Sequence, residues 1–488
     1  MEPIIGILGV CLFITGLWKA KHLRVLSKLI KTRPSATQQL ELDTDDGELG
    51  DVPDNLASSS TKEGPWAALA PRADMRQGVT SIVGLVFGSL FIIVGLYFGE
   101  SIDMSQPSSP PSTPPPRMPP PSPTPPASPP PPPPTPRPPQ VGPIPLILDS
   151  DFSFDVDDVG ALCVAHALAD LGEAEIIGVI FDSGYPLGVA AIDAVNHYYG
   201  RGHIPLGAYK GVFGRDVGGL YVPTIAREHA MRFPNGVHNS SMVPDAAHAY
   251  RQILIGADDA TVVIAAVGFM TGLRDLLASP PDEISPLDGV SLVRQKVRKV
   301  VFQGGWYAPL HPNGHQTFNW DCGGAGAGWS PYSLEGCRGA TQFVLATMPE
   351  EVQMIFSDIG DEIYHAGTLI RGVADGCAAG TADSPCRQAY RLHSWGINYR
   401  GRQSWDPVVV VAAVRGPQAM HCAEVDVGFT NRADEHGANF WTPPATPAVE
   451  RRQSQLALVG NASLGWEAER ADASATLDRL LCTPPALL

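Results

Sequence analysis

No block of basic residues occurs in the C-terminal two thirds of this 488-residue chain, and 34 Lys and Arg stand against 50 Asp and Glu, a formal net charge of −16. A surface that tracks phosphates needs clustered cations to displace counterions, so no nucleic acid polymer is expected as a partner. Gly-x-x-x-x-Gly-Lys-Ser/Thr is absent, as is Gly-x-Gly-x-x-Gly behind a strand, which leaves phosphate-clamp and dinucleotide readings without an anchor. The eight cysteines include no Cys-x-x-Cys pair, which argues against a zinc or dithiol redox site. A small neutral or cationic ligand stays open.

Charge is also missing from residues 79–98 (VTSIVGLVFGSLFIIVGLYF). Twenty uncharged, mostly apolar residues span a hydrocarbon core of about 30 Å as a helix, so this stretch is expected to cross a membrane. Arg72 and Arg76 precede it and Glu100 and Asp103 follow it, an order that places everything after residue 100 outside the cytoplasm. Residues 1–18 carry a shorter apolar run (IIGILGVCLFITGLW) followed by Lys19, Lys21, Arg24, Lys28, Lys31 and Arg33. That order favours a first span with its N-terminus outside; a signal peptide is the alternative. Residues 19–77 then form a cytoplasmic, disordered loop, and the membrane is the expected partner of the N-terminal helices.

Within the linker of residues 99–141, the stretch 107–139 holds 21 prolines in 33 residues. Proline lacks an amide donor and fixes φ, so polyproline II is the conformation left to it, a stiff spacer of about 100 Å. It resembles the spacers of wall and matrix proteins.

From residue 142 to 488 the composition turns globular. Short β-branched runs at 175–181, 261–267, 297–303 and 352–357 alternate with helical patterns such as 161–171. The expected fold is α/β, one large domain with an open, mostly parallel sheet and helices on both faces. Cys377 and Cys386 bracket a loop that a disulfide would close, and Cys322 and Cys337 bracket a Gly-rich insertion. Asn239-Ser240-Ser241 and Asn461-Ala462-Ser463 are glycosylation sequons.

Residues 146–162 read LILDSDFSFDVDDVGAL and crowd Asp149, Asp151, Asp155, Asp157 and Asp158 behind an apolar strand. Carboxylates so close repel one another unless a cation sits among them, and a hard divalent ion suits an all-oxygen set. Calcium (Ca2+) takes six to eight oxygens, more than one turn supplies, so distant residues must complete the shell. An EF-hand fails, since Phe154 stands where its glycine belongs and no Glu stands at the twelfth position. A haloacid-dehalogenase-type phosphatase would use Asp149 as nucleophile in Asp149-x-Asp151, but Asp157-Asp158 would then go unexplained.

The segment resembles the amino-terminal signature of the inosine-uridine-preferring nucleoside hydrolase family, with two extra residues, through Phe154 and Asp155, in place of the usual Pro-Gly. Residues 266–273 (AVGFMTGL) are similar to the family's Thr-Gly-x-Leu-Thr-Asn, residues 300–305 (VVFQGG) to its Met-Gly-Gly strand, residues 317–319 (TFN) to Glu-Phe-Asn, and residues 404–407 (SWDP) to the late His-Asp-Pro. The resemblance implies calcium held by Asp151, Asp158, the Val267 carbonyl and Asp406, with Asp157 as the base that takes a proton from water. It implies Asn319 on a ribose hydroxyl and Trp405 against the base. Asp155 is expected as a solvated loop acid, and Asp149 as an anchor bonded to backbone amides. Trp405 replaces the family's late His and cannot protonate a leaving base. The early sugar-gripping Asn aligns near Tyr185, and His238, His311 and His315 read as surface residues. The expected function is calcium-dependent hydrolysis of a ribonucleoside to ribose and free base in a membrane-anchored, extracytoplasmic domain, with a homo-oligomer left open. The rival from another class is a calcium-binding wall or matrix protein without turnover.

Overall fold

The computed structural model describes residues 142–486 apart from 213–218, 229–231, 308–319, 321–336, 361–362, 373–376, 394–400, 445–451 and 460–465. The two apolar segments, the loop of residues 19–77, the linker, Asn319, His311 and His315 lie outside the described residues. Among the described residues no helix is long and apolar enough to cross a membrane.

An eight-stranded sheet runs in the order β3-β2-β1-β4-β5-β6-β12-β9. Its central strands are β1 (Ile144–Ser150), β2 (Ala174–Phe181), β4 (Val262–Ala266), β5 (Val297–Gln303) and β6 (Gln353–Ser357). Each carries a continuous apolar stretch and stays buried through its carboxyl half, the pattern of strands covered on both faces. The pairs from β3 (Leu206–Ala208) through β6 to β12 (Gln453–Leu458) are parallel, and only β9 (Cys422–Val425) joins antiparallel, on β12. The expectation of an open, mostly parallel sheet is borne out. The late hairpin of β10 (Thr430–Ala433) with β11 (Asn439–Thr442), and the pair β7 (Tyr364–Ala366) with β8 (Gly401–Gln403), were not anticipated.

β1 lies between β2 and β4. The chain walks from β1 to β2 and β3 in one direction, then returns beside β1 and walks outward through β4, β5 and β6 in the other. That reversal opens a crevice at the carboxyl ends of β1 and β4, the place where open α/β sheets hold ligands.

Two cores flank the sheet. One packs α1 (Asp157–Asp170), α2 (Gly188–Tyr198) and α8 (Asp406–Arg415); the other packs α3 (Ala246–Gly256), α4 (Thr271–Ala278), α5 (Gly289–Lys296) and α6 (Ala340–Thr347). In α8 the run Val408-Val409-Val410-Val411 is helical although valine is a poor helix former. All four are fully buried. Burying a valine contributes about 1.5–3 kcal/mol against a propensity cost of up to about 0.7 kcal/mol, so packing decides.

The disulfides correct the expected pairing. Cys163 on α1 bonds to Cys386 on α7 (Pro385–Leu392), and Cys377 bonds to Cys482, which follows α9 (Trp466–Leu481). Cys377 and Cys386 are close in sequence, but the packing of α7 on α1 carries Cys386 to a partner 223 residues away. Cys337 is disulfide-bonded while Cys322 lies outside the described residues, and Cys422 is a buried free thiol.

Candidate active site

The last two residues of β1, the turn behind it and the first turn of α1 bring the aspartates into the crevice. Asp149 and Ser150 end the strand, and Asp157 and Asp158 open the helix, where its dipole favours negative charge. Ser150 Oγ donates to Asp158 Oδ1 at 2.5 Å. Asp157 Oδ2 accepts the backbone N–H of Trp405 at 3.2 Å and of Asp406 at 3.3 Å, which joins the start of α1 to the start of α8. Asp406 is the first residue of α8 and Pro407 follows it, so a side chain 249 positions from Asp157 is delivered by a helix terminus.

One oxygen from each of Asp157, Asp158 and Asp406 lies within 4.8 Å of the others. These carboxylates are only 3–4% exposed and Asp151 6%. Burial pushes all three well above the ordinary carboxylate range, and neighbouring charge adds to it: Asp155 on Asp157, Asp151 on Asp158, and Asp157 on Asp406. Val267 follows β4 directly, and its N–H donates to the Asp149 carbonyl at 2.7 Å, which sets it at the same crevice. Trp405 lies beside Asp157 through its backbone, with the Arg402 guanidinium 4.8 Å over its ring. The structure therefore brings Asp157, Asp158, Asp406, Val267 and Trp405 to one crevice, with Asp151 in the turn between them.

Two expected roles change. Asp155 is no solvated acid. Burial raises its pKa, but the Arg402 charge and hydrogen bonds outweigh that and hold it below the usual range. Arg402 Nε donates to Asp155 Oδ1 at 2.9 Å, a second guanidinium nitrogen bonds the other oxygen, and the His393 ring lies 3.7 Å away. Nor is Asp149 held by backbone amides. The Tyr250 hydroxyl on α3 donates to its Oδ2, and burial raises it to about 6. A fully buried carboxylate tied to a tyrosine is poorly placed to attack phosphorus, which weighs against the phosphatase reading.

Asp182, directly behind β2, escaped the sequence reading. It is fully buried, and among the described residues no N–H or hydroxyl reaches its carboxylate, which lies against that of Asp149. Burial and the charges of Asp149 and Asp151 raise it well above the carboxylate range. A Cβ at Gly268 would lie 2.4 Å from Asp182 Oδ2 and from the Asp151 amide nitrogen, so only glycine fits behind Val267. The available signal was positional: an acid immediately after a strand that borders β1 at the switch point. Tyr185 packs half-buried against the core, and His238 sits at the surface with its N–H on Met242 Sδ.

The donor set fits a hard cation. Every candidate ligand is an oxygen, the net charge is strongly negative, and Asp182 and Asp149 Oδ1 keep unsatisfied lone pairs in the same crevice.

No family model and no curated protein matches the chain. Among solved structures, it is similar to a plant nucleoside hydrolase at 16% identity and TM-score 0.46, over 70% of this chain and 100% of that one. A purine-preferring ribonucleoside hydrolase from Gardnerella vaginalis follows at 16% identity and TM-score 0.41, over 68% of this chain and 99% of that one. An inosine-guanosine nucleoside hydrolase gives 16% identity and TM-score 0.42, over 68% and 98%. At such identity and overlap none of them bears on what this chain does.

Proposed function

We propose that residues 142–488 form a calcium-dependent hydrolase that cleaves ribonucleosides to ribose and free base, held outside the cytoplasm by the N-terminal apolar segments and the proline-rich linker. The observation that carries this reading is the convergence of buried Asp157, Asp158 and Asp406 at the sheet's switch point. Asp151, Asp158, Asp406 and the Val267 carbonyl would hold the ion. Bound there, calcium would offset the carboxylate charge and make a nearby water more acidic.

Cleavage of an N-glycosyl bond passes through an oxocarbenium-like sugar and needs a proton acceptor for water. Asp157 is assigned that task. Its Oδ2 accepts two backbone amides, which ties the carboxylate to the start of α8. The carboxylates around it present negative charge to the positive sugar. Asn319 is assigned to a ribose hydroxyl. Trp405 is assigned to the base and carries no proton that suits a leaving nitrogen, so the base must depart with help from water or from its own tautomers.

Asp151, assigned to the ion, lies in the same turn as Asp157, and the variants Asp151→Asn and Asp157→Asn separate ligand from base. Loss of a ligand raises the calcium needed for half-maximal rate, whereas loss of the base lowers kcat at saturating calcium. The direct test is ribose release from purine and pyrimidine nucleosides by the full chain in detergent, with and without chelator. Ribose formed only with calcium supports the proposal, and calcium binding without turnover of any nucleoside sinks it in favour of a binding protein.

A further inference from the structure

The two-residue expansion of the aspartate turn needs something to hold it, because each backbone residue fixed in one conformation costs about 1–2 kcal/mol. The turn is tied at three points. Gly219 N–H donates to the Ser153 carbonyl at 2.6 Å, the Tyr221 hydroxyl donates to the Asp155 carbonyl, and the Arg402 fork grips the Asp155 carboxylate. Arg402 lies on β8, only 1% exposed, and its guanidinium also covers the Trp405 ring. One side chain thus joins the extra turn to the residue whose N–H holds Asp157 against α8.

Resting on the calcium site proposed above, we infer that Arg402 is a positioning residue that sets the distance between the Asp157-Asp158 pair and Asp406. Its fork takes the place of the shorter turn's rigidity. Lysine keeps the charge but supplies neither the bidentate geometry nor a planar group for Trp405. The test is calcium titration by calorimetry on the full chain carrying Arg402→Lys, alongside Asp155→Asn and the double variant, with thermal unfolding to confirm folding. Arg402→Lys should weaken calcium binding about 10–100-fold. Asp155→Asn should do the same, and the double variant no more than either alone. A folded Arg402→Lys that binds calcium like the parent overturns the inference. A parent that binds calcium and hydrolyses nothing overturns only the hydrolase reading; one that binds no calcium overturns both.

A separate observation concerns Asn239. Its Oδ1 accepts the Ser241 N–H at 2.9 Å and the Ser241 hydroxyl at 2.5 Å in a surface turn, and its Nδ2 makes no hydrogen bond among the described residues. The domain also carries Cys163–Cys386 and Cys377–Cys482, which form in an oxidising compartment. The geometry points to Asn239 as an N-glycosylation site. Its Nδ2 would bond to the anomeric carbon of an oligosaccharide carried on a lipid pyrophosphate, with loss of one amide proton and departure of the pyrophosphate lipid. The full chain, made through a eukaryotic secretory pathway, is digested and its peptides weighed before and after amidase removal of glycans. Conversion of residue 239 to Asp is expected, with the modification lost in Ser241→Ala and kept in Ser241→Thr. Recovery of the peptide wholly unmodified from folded, disulfide-bonded protein overturns the assignment, and modification at Asn461 is read separately on its own peptide.

Discussion

Asp282 and Asp155 each face an arginine fork, whereas Asp157, Asp158, Asp182 and Asp406 share one crevice and sit far above the carboxylate range. At the first place Arg251 is 1% exposed and spends its donors on both Asp282 oxygens, Ser279 Oγ and the carbonyls of Ser285 and Leu287. The charge is matched, and hydrogen bonding to Arg251 lowers the Asp282 pKa. At the second, Arg402 is committed to Asp155, and the remaining carboxylates have no arginine fork of their own, only two amides on Asp157 and the Ser150 hydroxyl on Asp158. One aspartate is thus neutralised by an arginine, while elsewhere four raised carboxylates are gathered in a set that fits a cation.

The largest expected difference lies in turnover. Asp157→Asn should lower kcat about 10²–10⁴-fold in steady-state ribose release while the protein stays folded, because the swap removes a buried charge and keeps the shape. Asp282→Asn should leave kcat unchanged. Next in size, Arg251→Ala strands the carbonyls of Ser285 and Leu287 and empties a buried site, and should lower the midpoint of denaturant unfolding, with specific activity of the folded fraction intact. Calcium removal should act only at the crevice. With calcium at 100 times its Kd, chelation should cost about 2.7 kcal/mol of stability in thermal unfolding, and the loss should persist in Arg251→Ala but vanish in Asp406→Asn.

At neutral pH the smallest effect concerns a buried base away from both places. Burial pushes His166 down from 6.5 to about 3, with its Nε2 on Asn196 Oδ1 at 2.9 Å. Below about pH 6.5 the unfolded chain gains a proton that the folded chain refuses until about pH 3. Stability from this group is therefore complete above 6.5 and falls with acidification by up to about 1.4 kcal/mol per pH unit. His166→Gln should flatten the slope of stability against pH by about one proton over that window, as measured by urea unfolding at a series of pH values.

Much of the architecture was legible because local pattern dictates it. The β-branched runs at 261–267, 297–303 and 352–357 became β4, β5 and β6 within one residue at each end, and Asp157-Asp158 opened the helix expected behind the turn. What sequence hid was whatever depends on partners far along the chain. Asp155 looked solvated because nothing near it announces Arg402, 247 residues on. Asp182 carries no motif; its meaning comes from β2 lying next to β1. The pairing of Cys163 with Cys386 depends on helix packing that spacing does not encode. The late antiparallel strands are four residues long, too short for a periodic signal.

The most direct test of the cation crevice is ribose release by the full chain across a nucleoside panel, measured after chelation and again after calcium is restored. The account predicts ribose from at least one nucleoside, lost on chelation, recovered with calcium and absent in Asp406→Asn. Ribose release that is indifferent to chelator and to Asp406→Asn would contradict it.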